Sequence, residues 1–595
     1  MHYRGGYCAG LWRAPLDNTN EEQAMAYDLV IKNGSIIDGS GAPAFRADLG
    51  ITGGKIALIG RIRENGVETI DAEGHVVAPG FIDGHTHMDA QVFWDRIGSS
   101  SCYHGVTSVV MGNCGFTLAP CSEEHAELAM RNLERAEDIA RESMVEGIKW
   151  NWETYPEYLA AVAAEPKGMN YAGYIGHSAL RTYVMGERAF TEQATEDELA
   201  TMCRTVQEAV RAGAIGFSTS RTHLLFSDLP VASAVAEWQE VRAIVNAMGE
   251  CGAGVFELAG DITVGDPEKT REYNDRIMAL SVESGVPMTW GVTAGIGEED
   301  HWRGKLALLD DVAAHGGRMF AQAHSRTLDV LYSFETRTPF DHWDHWQEIR
   351  ALPLEEQKAK LKDPVVRAKL VDIATDPGGK AFRNSFGALV SKGPDWNRIL
   401  IMDTMKDEDQ RPVADVAAER GVRPAELFID IALEHDLKLL FRQAATNTNG
   451  EHVLEMMKHP HTVVTLSDSG AHVAQLMDSS LQSHVFSHWV RDKQALTLEE
   501  AVRLLTYDMS RQWGLYDRGL LRVGLAADVV VFDPRTIGPR MPTVEVDLPG
   551  GARRFKQTAN GIAATIVNGE VMLRNNEHTG AQSGQVLRGP LAGVI

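Results

Sequence analysis

The sequence predicts an α/β chain: a TIM-like (β/α)8 barrel, a small β-sandwich domain built from both chain ends, and a helical insertion between strands 7 and 8. Three observations lead there. Eight short apolar runs alternate with amphipathic stretches through the middle of the chain. Polar or ionisable residues gather at the C-terminal ends of those runs, where a barrel builds its chemistry. Gly-turned β segments stand at both chain ends.

Residues 1–26 carry Arg4, Arg13 and Asp17 but no apolar stretch of signal-peptide type, so a disordered leader is expected. Residues 27–78 form the first half of the β domain, with Asn33-Gly34 and Gly53-Gly54 as hairpin signals. Residues 79–324 supply barrel strands 1–7, at 80–87, 106–112, 170–177, 213–220, 254–260, 286–290 and 318–324. Helical periodicity fills the gaps between them, as in 196–213 and 235–251. Residues 325–461 are too long for a connection and read as a folded helical insertion, a candidate lid. The eighth strand, 462–468, and final helices fill 462–520. Residues 521–577, with an Asn568-Gly569 turn, return to the β domain, and 578–595 form a tail.

Composition narrows the function. A net charge of −25 repels phosphate backbones and anionic membranes, so neither nucleic acid nor membrane is an expected partner. Six cysteines without a CxxC pair suit a reduced, cytoplasmic setting. The expected partner is a small molecule; assembly into a homo-oligomer is left open.

The segment GFIDGHTHMD carries the most chemistry. His85 and His87, at i and i+2 on one strand, point to the same face and can share a metal. Asp468, in LSDSGAH, ends the eighth strand and can act as ligand and as proton acceptor for an activated water.

PGFIDGHTH, the terminal AADVVVFDP and the late SDSG aspartate resemble the amidohydrolase superfamily. GVTSVVMGNCG (105–115), GHSALR (176–181) and LSDSGAH (466–472) resemble, more narrowly, the D-aminoacylase (N-acyl-D-amino-acid deacylase) family, of which the chain looks like a divergent member. The resemblance runs over about residues 27–577. It implies that His85 and His87 bind metal, that Cys114 is a thiolate ligand and that Asp468 is the catalytic acid and base. The position of Cys114 after a strand, in Asn-Cys-Gly, agrees with that role.

The departures are specific. Where the family places a histidine on the fifth strand stands Glu257, an oxygen ligand; near the sixth-strand position stands Val292, which cannot ligate. The fourth strand lacks the lysine that related amidohydrolases carboxylate to bridge two metals. About one zinc per chain is therefore expected, on His85, His87 and Asp468 with Cys114 and Glu257. His177 is a candidate to polarise the scissile carbonyl; Arg181, Arg221 and Arg326, with His324, are candidates to hold a substrate carboxylate. The expected reaction is zinc-dependent hydrolysis of N-acyl amino acids. Cyclic amides, imides or peptide-like natural products, or a metal-poor ligand-binding role without catalysis, are the alternatives.

Overall fold

The computed structural model describes residues 27–225, 229–295, 301–375, 382–383, 389–390, 393–475 and 478–592. The expected leader, 1–26, lies outside the described residues. Eight parallel strands occupy the middle of the chain: Phe81–Asp83, Val106–Met111, the broken pair Asn170–Gly173 and Ile175–Gly176, Gly216–Ser220, Val255–Ala259, Met288–Val292, Met319–Ala323 and Thr462–Val464. They fall on the eight segments expected from the sequence, and each pairs in parallel with the next. At the break, the Tyr174 N–H donates to the Met111 carbonyl at 3.1 Å and keeps the third strand attached to the second. The ring closes just past the first and eighth strands. There Thr86 bridges Ser469, and the His87 N–H donates to the Ser469 carbonyl at 2.8 Å.

Both faces of these strands are covered, which is why they read as continuous apolar runs rather than alternating ones. Every residue of Val106–Met111 is buried. Outside them pack helices such as Glu196–Ala212, which starts at a Thr195–Glu198 capping box and buries Met202, Val206, Ala209 and Val210.

Both chain ends enter one nine-stranded sheet. Its seam is the antiparallel pairing of Val76–Pro79 with Val529–Phe532. Within it Leu29–Ile36 pairs in parallel with Glu68–Asp71 and then with Val76–Pro79, and strands from both ends enclose one core that includes Ile31, Ile51, Val529 and Ile566. Gly53-Gly54 and Asn568-Gly569 make tight turns with positive φ throughout. Asn33-Gly34 does not turn. It is a bulge inside Leu29–Ile36, where the register shifts between Ile31 and Gly34. A Cβ on Gly34 would stand 2.5 Å from Val77 Cγ2, so that glycine serves close packing, a use a hairpin signal cannot distinguish.

The insertion holds helices, among them Asp344–Arg350, Leu354–Lys362, Pro364–Thr375, Val413–Arg420 and Pro424–Glu434. It also holds an antiparallel sheet that helical periodicity does not announce, in the order Leu328–Tyr332, Leu440–Thr446, Ile399–Met402, Arg411–Pro412. Phe340, Trp346, Phe428 and Phe441 pack between them as a separate core. Among the described residues no helix is long and apolar enough to cross a membrane.

Candidate functional site

The site forms at the C-terminal ends of the barrel strands. His85 and His87 follow the first strand and turn their Nε2 atoms toward Asp468, whose Oδ1 lies 3.3 Å from His85 and 3.6 Å from His87. Cys114, after the second strand, places Sγ 3.6 Å from His85 Nε2. Glu257, on the fifth strand, accepts a hydrogen bond from the Cys114 backbone N–H at 2.6 Å. Glu137, which the sequence reading did not single out, places Oε2 3.3 Å from His87 Nε2. Gln322 on the seventh strand accepts from His85 Nδ1 at 2.6 Å, which leaves His85 Nε2 as the lone-pair nitrogen.

The backbone is contorted where these groups are presented. Cys114 (φ 54), Leu466 (φ 84), Asp468 (φ 49) and His472 (φ 47) all occupy the left-handed region, which costs non-glycine residues roughly 1–3 kcal/mol each. Gly470 has no alternative: at φ +97, a Cβ there would lie 2.5 Å from the His87 carbonyl oxygen.

The site gathers acidic groups, and burial resists the ionisation of most of them. Burial pushes Glu257 up to about 8, against the pull of the Cys114 N–H. Burial likewise raises Glu137 to about 7, although the neighbouring His87 opposes it. The Cys114 thiol goes well above its ordinary value through burial, reinforced by Glu257, Glu137 and Asp468. Burial works against the charge on Asp468 too, but the hydrogen bond from His87 and the charge of His85 hold it below the usual carboxylate range. Among the described residues no lysine or arginine forms an ion pair with Glu137, Glu257 or Asp468.

That donor set fits a divalent cation. The ligating atoms of His85, His87 and Cys114 all lie within 4.8 Å of one another. Ligands held ~2.1 Å from a tetrahedral zinc stand roughly 3.4 Å apart. The separations of 3.3, 3.3, 3.6 and 3.6 Å among these imidazoles, carboxylates and thiol match that spacing.

Other expected residues are employed elsewhere. His177 is fully buried, with Nδ1 2.8 Å from Thr219 Oγ1 and Nε2 donating to Glu240 at 2.8 Å, so neither ring nitrogen is available to a carbonyl. Arg181 grips both oxygens of the same Glu240. Arg221 is tied to Asp261 and to the Ala236 carbonyl. Arg326 is tied to Asp329 and Ser480. These arginines are cross-braces between neighbouring elements rather than free anion receptors. His324 is buried with Nδ1 against the Arg326 backbone; its Nε2 has no hydrogen-bond partner and lies within electrostatic reach of Asp468.

A cavity of about 420 Å³ opens beside the cluster, lined by His85, Cys114, Glu257 and Asp468. Trp290 and Leu466 give it an apolar wall, and Tyr273, His301 and Lys305 a polar one. None of the described insertion residues lines it.

The amidohydrolase family's sequence pattern matches residues 68–573. The chain belongs to the amidohydrolase family. This amidohydrolase is 27% identical to the D-aminoacylase of Alcaligenes xylosoxydans xylosoxydans over 580 residues, covering 96% of this chain and 99% of that one. It is 28% identical to an uncharacterized protein of Mycobacterium tuberculosis over 605 residues, 94% of each chain. A solved D-aminoacylase, studied for one-metal activation and second-metal attenuation at its binuclear metal center, superimposes with a TM-score of 0.62. That comparison has 25% identity and covers 94% of this chain and 100% of that one.

Two residues of this amidohydrolase escaped sequence reading for different reasons. Gln322 is the one polar residue in the buried run Met319–Ala323, a signal that marks a buried amide but does not name its partner. Glu137 left a different signal. It caps the C-terminal end of Ala126–Ala136, where a negative charge opposes the helix dipole, and such a local misfit suggests a function elsewhere.

Proposed function

We propose that the chain hydrolyses the amide bond of N-acyl amino acids, D-configured ones included, with about one zinc per chain held by His85, His87 and Asp468 beside Cys114 and Glu257. The observation that carries this reading is Asp468 Oδ1 standing within 3.6 Å of both Nε2 atoms of the histidine pair, at the edge of an open cavity. The likeness to D-aminoacylase along nearly the whole chain supports the substrate class.

A zinc ion bound there supplies Lewis acidity toward the carbonyl and acidifies the attacking water. The protein's own groups do the rest. Gln322 holds His85 in the tautomer that turns a lone pair to the ion. Asp468, ionised and open to the cavity, takes the proton of the attacking water and passes it to the leaving amine nitrogen. Trp290 and Leu466 provide an apolar surface for the acyl group. Lys305, on the polar wall of the cavity, offers a cation to a substrate carboxylate.

The test is a panel of N-acetylated D- and L-amino acids, with hydantoin and dihydrouracil as cyclic comparators, following release of free amine. Turnover of at least one N-acyl amino acid, abolished by chelation, is expected. Turnover confined to the cyclic compounds would contradict the assignment.

A further inference from the structure

Outside the expected ligand set, one buried carboxylate is aimed into the site without a purpose of its own. Glu137 is 2% exposed, and its Oε1 has no hydrogen-bond partner. Its Oε2 addresses the same His87 Nε2 that faces Asp468, at 3.3 Å against 3.6 Å for the aspartate. A buried carboxylate oxygen left unpaired costs roughly 1–3 kcal/mol or more, so its retention calls for a partner the polypeptide does not supply.

The placement of Glu137 is enforced from both sides. Its backbone carbonyl accepts from the His472 N–H at 2.7 Å, which ties it to the loop carrying Asp468. The next residue, Asp138 (φ 50), pairs with Arg337 of the insertion at 3.1 Å and accepts a hydrogen bond from Gln475. These contacts hold the loop against the barrel with the Glu137 carboxyl buried.

We propose that Glu137 is a direct ligand of the ion held by His85 and His87. It supplies an anionic oxygen in a barrel whose fourth strand offers no lysine and whose sixth strand offers no histidine. The proposal rests on the metal-dependent reading above and adds to it the loop after Ala126–Ala136 as a ligand-bearing element.

The test compares full-length wild type with Glu137→Gln, which preserves shape and hydrogen-bond acceptance but removes the charge. Zinc affinity is measured by competition with a chromophoric chelator, and visible absorption is recorded with cobalt(II) in place of zinc. Circular dichroism confirms folding. A loss of affinity of tenfold or more, together with an altered cobalt spectrum, is expected. A smaller loss or an unchanged spectrum overturns the proposal, because a residue that merely hydrogen-bonds His87 would be replaced adequately by glutamine. A crystal structure of zinc-loaded wild type decides independently of the variant's folding: a Glu137 oxygen ~2.0–2.2 Å from zinc supports ligation, and a closest approach beyond ~3 Å refutes it. Wild type that loads zinc while Glu137→Gln loads equally well defeats this proposal alone. Wild type that takes up neither metal defeats it and the metal-dependent function together.

Discussion

Gln322 Oε1 accepts the His85 Nδ1 proton at 2.6 Å, linking the seventh barrel strand to the end of the first. The Gln322 amide is itself oriented, donating to Thr289 Oγ1 on the sixth strand at 3.2 Å. One of the two histidines is thus fixed in its tautomer by a relay across neighbouring strands. Replacing Gln322 with leucine is expected to weaken zinc binding about 10–100-fold, the usual effect of losing a hydrogen bond that orients a ligating histidine. Competition titration with a chelator measures it, with far-UV circular dichroism unchanged.

Asp468→Asn keeps the shape of the side chain and removes its capacity to take a proton. Turnover is expected to fall by roughly 10²–10⁴. Steady-state kinetics on the best substrate of the panel checks this. Near-normal turnover in a folded, metal-loaded variant would take Asp468 out of the mechanism.

His87→Ala removes the imidazole addressed by both Asp468 and Glu137 and is expected to abolish zinc retention and activity together. Glu257→Ala should weaken retention less, since the carboxylate is one oxygen donor among several and is already engaged by the Cys114 N–H. Zinc per chain after gel filtration in metal-free buffer ranks the two.

The buried triad of His177, Arg181 and Glu240 is expected to act on stability instead. Burial alone would raise Glu240, but the hydrogen bond from His177 and the Arg181 charge bring it down to about 2 from the ordinary 4.5. Its stabilising contribution, on the order of 3 kcal/mol, is complete above pH 4.5 and is lost as pH falls through 2. Arg181→Met leaves the carboxylate poorly compensated and should cost about 3–5 kcal/mol near neutral pH. Thermal unfolding from pH 7 down to pH 2 should show the gap between the variant and wild type narrowing as Glu240 protonates.

The barrel was legible because parallel strands buried on both faces leave uninterrupted apolar runs, with His85, His87 and Asp468 at their ends. Asn33-Gly34 misled because the same dipeptide suits a turn and a bulge packed against Val77. His177 and Arg181 sit at a strand end as active-site residues do, yet pair with Glu240 from a helix far along the chain, and no local spacing reveals that partnership. His223, which looks like an ordinary polar residue in sequence, is half-buried within electrostatic reach of His87 and Asp468. Glu137 arrives from a loop whose path depends on contacts with the insertion, such as that of Asp138 with Arg337.

The most direct test is zinc content and amidase activity measured on the same sample before and after exhaustive chelation. About one zinc per chain is expected at the start, activity should vanish with the metal, and one equivalent of zinc should restore it. Full hydrolysis of N-acyl amino acids by the metal-free protein would contradict the mechanism.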